Sequence, residues 1–135
     1  MKRVMVFGTF DILHDGHLNF LCQAKKQGDF LIIVVAQDKN VLAIKGRHPL
    51  GTVNQRIKAL ESRGLGDKVI PGDNDNFFKA IELNMPELIC LGYDQDSQGL
   101  EDEIIKRGWK IEVKKLKPYK KETNKTSIIR KNNGF

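Results

Sequence analysis

Two histidines three residues apart, His14 and His17, are the side chains of this sequence whose type and spacing could do chemistry. They lie in the stretch FGTFDILHDGH, directly after an apolar segment and directly before a helical pattern. An i, i+3 spacing places both rings near one end of one helix face. The N–H groups and positive dipole of a helix N-terminus attract anions, and Gly8 and Gly16 let an anion approach the backbone. The pair could therefore bind a phosphoryl group and stabilise the charge that grows on it, without a covalent intermediate.

Two other roles for the histidines stay open. They could be zinc ligands, but no cysteine lies close to them in sequence, so distant carboxylates would have to complete the site. They could also be structural, with one ring capping the helix and the other packed. The familiar phosphate motifs are missing, because there is no GxxxxGK[ST] segment and the GxG of RGLGDK precedes a strand pattern. Neither a P-loop nor a dinucleotide-binding glycine motif is expected.

Size and charge restrict the class of protein. The 135 residues are predicted to form one domain, 1–135. The longest apolar run, FLIIVVA, is far shorter than the roughly 20 residues that cross a bilayer, and MKRVMVFG is too short in its apolar part for a signal peptide. We therefore expect a cytoplasmic protein with no membrane partner. The net charge of +6 favours a phosphate-rich partner, either nucleic acid or small phosphorylated molecules.

The elements that must position the histidines alternate along the whole chain. Strand patterns cover 3–8, 30–36, 68–70, 87–92 and 109–116, and helical patterns cover about 16–27, 39–44, 53–61, 77–83 and 100–106, with a last helix from near Thr126. Gly28 is predicted to end the first helix, and Asp75 or Asn76 to cap the fourth. Cys22 and Cys90 lie in apolar patterns and are predicted to be buried free thiols.

This order predicts an α/β fold: a single-domain, Rossmann-like, doubly wound parallel sheet of five strands with helices on both faces. Ligands of such sheets bind beyond the carboxyl ends of the strands. Three polar clusters follow predicted strand ends, namely GTFDILHDGH, QDKN and GYDQD. We expect them to line one crevice.

The segment GTFDILHDGH resembles the GTFDxxHxGH signature of the cytidylyltransferase-like nucleotidylyltransferases and matches it at every specified position. Within that family the chain is most similar to the archaeal FAD synthases, which share segments like KGRHP (Lys45–Pro49), LGYDQ (Leu91–Gln95) and YKK (Tyr119–Lys121). The glycerol-phosphate cytidylyltransferases share the first segment, a middle-helix arginine that Arg56 matches, and a late helix that opens with Ser and Thr.

The resemblance implies a reaction and a set of residues. The reaction is adenylyl transfer, in which the phosphate of FMN attacks the α-phosphate of ATP in line and gives FAD and pyrophosphate, with a divalent cation, Mg²⁺, as cofactor. His14 and His17 would donate hydrogen bonds to the α-phosphate, and Asp11 would orient the phosphate-binding turn or a divalent ion. The implied nucleotide-binding residues are Thr9, Phe10, Gly16, Asp94, Tyr119, Thr126 and Ser127. Substrate phosphates would be bound by Lys45, Arg47 and Arg56, and a homodimer is also implied.

Two alternatives remain open. One is a cytidylyltransferase that joins CTP to glycerol phosphate or to another small phosphorylated alcohol or sugar. The other is a non-catalytic nucleotide- or RNA-binding module. The intact HxGH argues against a pure binder, which has little need of two donors to an α-phosphate. Nucleic acid is not the expected partner, because the basic run KKLKPYKK lacks the interleaved aromatic residues of stacking platforms.

Overall fold

A computed structural model describes residues 1–119, apart from the side chain of Ile44. The helix predicted from near Thr126 lies outside these residues. No helix in the described part of the chain is long and apolar enough to cross a membrane. The elements of residues 1–119 are β1 (Arg3–Gly8), α1 (Asp15–Lys25), β2 (Phe30–Val35), α2 (Asp38–Lys45), α3 (Val53–Arg63), β3 (Lys68–Pro71), α4 (Lys79–Asn84), β4 (Leu88–Leu91), α5 (Gln98–Arg107) and β5 (Glu112–Lys115).

The strands form one parallel sheet in the order β3-β2-β1-β4-β5. The chain first builds outward from β1 through β2 to β3, and then returns to the other side of β1 to add β4 and β5. The direction of winding therefore reverses at β1, which is the switch point where ligands of such sheets bind. The predicted doubly wound sheet of five parallel strands is confirmed, and β5 lies at an edge, as its alternating pattern indicated.

Two apolar clusters hold helices on opposite faces of the sheet. Successive side chains of a strand point to opposite faces, so Val4 and Val6 of β1 join one cluster while Met5 and Phe7 join the other. The first cluster packs against α1 and α3 through Leu21, Ala24 and Leu60, and the second against α4 and α5 through Ala80, Ile81, Leu100 and Ile104. The strand β2 is buried from Leu31 to Val35, as its continuous apolar pattern predicted.

The prediction that Gly28 ends the first helix is wrong. The helix α1 ends at Lys25, and Lys26 caps it in the right-handed region with φ −73°. Gly28 is needed for a different reason. A Cβ atom at this position would lie 2.7 Å from Cγ2 of Val4 and 2.8 Å from the carbonyl oxygen of Lys2. The glycine allows the chain to pass close to the start of β1.

The predicted start and cap of the fourth helix are also wrong. The helix α4 begins at Lys79, and its N-cap Phe78 has no side-chain hydrogen bond. The polar side chains before it bond to amides of the loop instead: Oδ2 of Asp73 accepts hydrogen bonds from the N–H groups of Asp75 and Asn76. Such local hydrogen bonds compete with helix formation.

The two cysteines differ in burial. Cys90 lies inside β4 as predicted, and burial raises the pKa of its thiol to about 11. The prediction that Cys22 is buried is wrong, because its side chain is exposed on α1. The buried stripe of α1 contains Leu21 and Ala24, and Cys22 lies just outside it.

Candidate active site

A cleft of about 1140 Å³ opens at the carboxyl ends of the strands. Pockets for one small ligand usually measure about 300–1,000 Å³, so this cleft has room for two substrates. The three predicted clusters do converge on it. Two further segments, after β3 and after β5, also line it. The cleft therefore receives residues from beyond every strand: Thr9–Asp11, Ala36, Gly72–Asp75, Gly92–Gln95 and Lys117–Tyr119.

His14 is the N-cap of α1 and is held by the glycine that follows it. Its backbone is extended, with φ −140° and ψ 178°, and its Nδ1 accepts a hydrogen bond of 3.1 Å from the N–H of Gly16. Because Nδ1 is the acceptor, this bond assigns the proton of the neutral ring to Nε2. A Cβ atom on Gly16 would lie 3.0 Å from Cε1 of His14. The glycine of HxGH thus has a local cause, since a larger residue at position 16 would crowd the ring of His14.

His17 is stacked on His14 and is mostly shielded from water. The two ring centroids are 3.9 Å apart with 19° between the planes, and Phe10 meets His17 edge-on at 5.5 Å. The Nδ1 atom of His17 is buried and has no hydrogen-bond partner among the described residues. Burial, followed by the charge of His14 and with a smaller part from Lys45, lowers the pKa of His17 to about 4, while the backbone of Ile12 acts in the opposite direction. His17 is therefore a neutral imidazole near pH 7.

We expect the burial of neutral His17 to make stability depend on pH. The unfolded chain takes up this proton near pH 6.5 and the folded chain near pH 4, so the folded state is favoured fully above about pH 6.5 and loses stability as the pH falls toward 4. Denaturant unfolding across this window should show a smaller dependence on pH in His17→Asn than in the original chain. A ring titration followed by NMR with a midpoint near 6.5 would contradict the prediction.

Phe10 packs edge-on against His17. Its backbone has φ +50°, a left-handed conformation that is rare for a bulky residue, and its side chain is only 4% exposed. Two of its ring atoms lie 2.7 Å from the position that a Cβ atom on Gly8 would occupy. The Gly-Thr-Phe turn therefore needs Gly8 so that the Phe10 ring has room to pack against His17. Strained backbone of this kind concentrates at functional sites.

Asp11 fastens the loop between α2 and α3 to the β1 turn. Its Oδ2 accepts a hydrogen bond of 2.8 Å from the N–H of Leu50, and its Oδ1 one of 2.9 Å from the N–H of Gly51. Burial acts to raise the pKa of the Asp11 carboxyl, but these two hydrogen bonds and the charges of Arg56 and Arg47 together lower it below its usual value. The role predicted for Asp11, to orient the phosphate-binding turn or a divalent ion, stays a prediction.

Arg56 does not face the cleft, which differs from the phosphate-binding role predicted for it. Its side chain is buried on α3, at 2% exposure. The guanidinium donates to the backbone carbonyls of three segments and to one carboxylate: Gly51 at 3.0 Å, Thr9 at 2.9 Å, Ala36 at 2.8 Å and Oδ1 of Asp38 at 2.6 Å. Four of its five N–H donors are thus bonded to the protein, and Arg56 joins the ends of β1 and β2 to the start of α3.

The other predicted residues divide into two groups. Those that line the cleft are Thr9, Phe10, Asp11, His14, Gly16, His17, Lys45, Arg47, Asp94 and Tyr119. Thr126 and Ser127 lie outside the described residues. Sequence reasoning missed the Asp73–Asp75 segment and Phe77, which also line the cleft, whereas Asn40 belongs to the predicted cluster QDKN. The rule that ligands bind beyond strand ends, applied to β3 as well, would have pointed to the segment PGDNDN.

Comparison with known proteins identifies the family. A family model described as cytidylyltransferase-like matches residues 5–132. The FAD synthase of Ferroglobus placidus is 43% identical over 122 residues, covering 87% of this chain and 77% of that protein. The FAD synthase of Archaeoglobus profundus is 44% identical over 122 residues, covering 87% of this chain and 76% of that protein.

Solved structures agree with the fold. The lipopolysaccharide core biosynthesis protein of Thermoplasma volcanium superposes with a TM-score of 0.83 at 35% identity, covering 89% of this chain and 99% of that one. Pantothenate synthetase from Thermus thermophilus, at 17% identity and a TM-score of 0.59, covers 90% of this chain and 58% of its own, and shares the fold alone. With the signature stretch, the stacked histidines and these relatives in agreement, the chain belongs to the cytidylyltransferase-like family.

Proposed function

We propose that this protein is an FAD synthase, which transfers the adenylyl group of ATP to FMN and releases pyrophosphate. The observation that carries the proposal is the stacked pair His14 and His17 at the N-terminus of α1, inside a cleft large enough for two substrates. The choice of ATP and FMN is supported by the relatives named FAD synthase, of which the chain covers about three quarters. The two alternatives, a cytidylyltransferase and a non-catalytic module, are not favoured by these relatives.

The histidines would act on the α-phosphate during the transfer. An oxygen of the FMN phosphate attacks the α-phosphorus of ATP, and the bond from that phosphorus to the bridging oxygen of pyrophosphate breaks. Negative charge grows on the non-bridging oxygens of the α-phosphate, where fixed donors stabilise it most. His14, fixed through Nδ1 by Gly16, presents its N–H at Nε2, and neutral His17 supplies a second N–H.

Charged side chains at the mouth of the cleft would position the phosphates. Lys45 ends α2 and Arg47 follows it in the loop that Asp11 holds in place, and both line the cleft together with the histidines. Asp94 and Tyr119, beyond β4 and β5, would contact the nucleotide. The positive charges of Lys45 and Arg47 attract the combined negative charge of ATP and FMN.

A divalent cation, Mg²⁺, remains part of the proposal. Among residues 1–119, no group of three or more His, Cys, Asp or Glu side chains is arranged to hold a metal, and both oxygens of Asp11 accept backbone hydrogen bonds. We therefore expect the cation to arrive on the ATP phosphates, as Mg²⁺ commonly does, and to neutralise part of their charge. A cytoplasmic location and a homodimer also stay predictions.

Pyrophosphate release with defined substrate pairs tests the function. The protein is incubated with Mg²⁺ and either ATP or CTP, each combined with FMN, with glycerol phosphate or with no acceptor. We expect pyrophosphate only from ATP with FMN, in equal amount to the FAD separated by chromatography. Release only from CTP with glycerol phosphate would overturn the substrates and keep the mechanism. No release from any pair would overturn the catalytic role.

A further inference from the structure

The cleft exposes an unusual share of large apolar side chains. Ile12 is 60% exposed, Leu50 77%, Phe77 53% and Tyr93 60%, and all of them line the cleft. Single exposed apolar residues are ordinary, but several around one concave surface indicate a ligand with a sizeable apolar part. The phosphates of ATP and FMN do not explain these residues, because phosphates are bound by the cationic and N–H groups described above.

Phe77 differs from the others in being rigidly placed. It lies in the loop between β3 and α4. Side chains bond to the loop backbone both before and after Phe77. Oδ2 of Asp73 accepts from the N–H groups of Asp75 at 3.0 Å and Asn76 at 2.8 Å, and Oδ1 of Asn76 accepts from the N–H of Phe78 at 3.0 Å. These bonds fix the backbone from which the Phe77 side chain projects.

Neighbouring aromatic rings hold the ring of Phe77 itself. Its centroid is 4.8 Å from that of Phe7, at the end of β1, with 33° between the planes. Phe78 meets it edge-on, with centroids 5.2 Å apart and 88° between the planes. Half of the Phe77 side chain nevertheless remains exposed. An aromatic face that is ordered before binding loses little entropy when a planar ligand stacks on it.

The Phe77 ring contacts Phe7 at the end of β1, although the loop that carries it comes from β3 on the other side of the sheet from β4 and β5. Phe77 follows β3, whereas Asp94 and Tyr119 follow β4 and β5, and the histidines follow β1 between the two sides. If the nucleotide occupies the side of β4 and β5, the part of the cleft that remains for the acceptor runs from the histidines, which follow β1, to the β3–α4 loop that carries Phe77. The acceptor's remaining part then meets Phe77.

We propose that Phe77 is the stacking face for the isoalloxazine ring of FMN and thereby a determinant of acceptor specificity. The inference rests on the proposed function and assigns its second substrate to one half of the cleft. A planar tricyclic ring covers the exposed face of Phe77, whereas a small acceptor such as glycerol phosphate leaves it in water.

The test compares Phe77→Ala and Phe77→Leu with Leu83→Ala, a matched loss of an exposed apolar side chain on α4 that does not line the cleft. We expect Phe77→Ala to raise the KM for FMN about tenfold or more, as alanine substitutions at base-stacking aromatic residues do, with the KM for ATP little changed. Phe77→Leu keeps apolar volume without the aromatic face and should show a smaller rise. Leu83→Ala should match the original chain. Quenching of flavin fluorescence on titration of FMN should weaken in parallel with the KM.

Each contrary outcome is distinguishable. FAD synthesis by the original chain, together with an unchanged KM for FMN and unchanged quenching in Phe77→Ala, would overturn this inference and leave the proposed function standing. A rise in the KM for ATP instead of FMN would assign Phe77 to the adenine and overturn it as well. Absence of FAD from the original chain would overturn the proposed function itself, and the inference with it.

Discussion

Replacement of His17 by alanine lowers kcat for FAD formation about 10²–10³-fold and leaves the KM for ATP nearly unchanged, if the histidine acts on the transition state. Loss of one donor to a developing oxyanion typically has an effect of this size. The pKa of about 4 matters here, because a neutral ring binds the ground-state phosphates weakly. Its N–H contributes most when charge concentrates on the α-phosphate oxygens. An interaction made mainly in the transition state appears in kcat rather than in KM.

The stacking of the two rings makes a second variant necessary. Removing the His17 ring also removes the contacts with His14 at 3.9 Å and Phe10 at 5.5 Å, so His17→Ala changes packing as well as hydrogen bonding. His17→Asn keeps a side-chain N–H and should recover part of kcat. His48→Ala is the matched control, since His48 is exposed and does not line the cleft. An unchanged kcat in His17→Ala, or an equal loss in His48→Ala, would remove the catalytic role.

The order of strands and helices, and the convergence of the β1, β2 and β4 ends, could be predicted because they depend on local patterns. Val4 to Val6 and Leu31 to Val35 form unbroken buried runs, as strands inside a parallel sheet do. The histidine pair could likewise be recognised, since the N-cap bond of His14 to Gly16 is made within two residues of sequence. A contact between residues this close in sequence can be predicted from their spacing alone.

The β3–α4 loop could not be predicted from the same patterns. Phe77 and Phe78 look like the first apolar residues of a helix, and the sequence-based interpretation placed them there. The structure begins α4 at Lys79, and in the loop before it Asp73 and Asn76 accept hydrogen bonds from the N–H groups of Asn76 and Phe78. The result leaves Phe77 beside the cleft instead of on a buried helix face. These side-chain bonds to the backbone shape the loop, and the spacing of apolar residues carries no information about them.

Arg56 shows a second limit, because its environment is built by distant segments. On α3 the sequence indicates only a cationic residue, which equally fits solvent, a substrate phosphate or a buried partner. The carbonyls that it binds belong to Thr9, Ala36 and Gly51, and they come together only when β1, β2 and the start of α3 are in place. The direction of the side chain is therefore a property of the fold.

Arg56→Ala should lower the free energy of unfolding by about 3 kcal/mol or more. Each buried acceptor left without a donor costs about 1–3 kcal/mol, and Asp38 also loses its charged partner. The Asp38 carboxylate is 42% exposed, so water offsets part of its loss. Arg63→Ala, an exposed arginine in the last turn of the same helix, is the matched control and should change stability by about 1 kcal/mol or less. Denaturant unfolding of the variants measures both effects.

Arg56→Lys separates the structural role from a role in phosphate binding. Lysine keeps the charge, but its single ammonium cannot reproduce the fork of donors that reaches Gly51, Thr9 and Ala36. We expect this variant to remain clearly less stable than the original chain. Its KM for ATP should rise along with the instability, because Thr9 and the loop held by Asp11 lose their common anchor. If Arg56→Lys is instead as stable as the original chain and binds ATP poorly, then Arg56 reaches the substrate phosphates, and the structural role assigned from its buried hydrogen bonds is wrong.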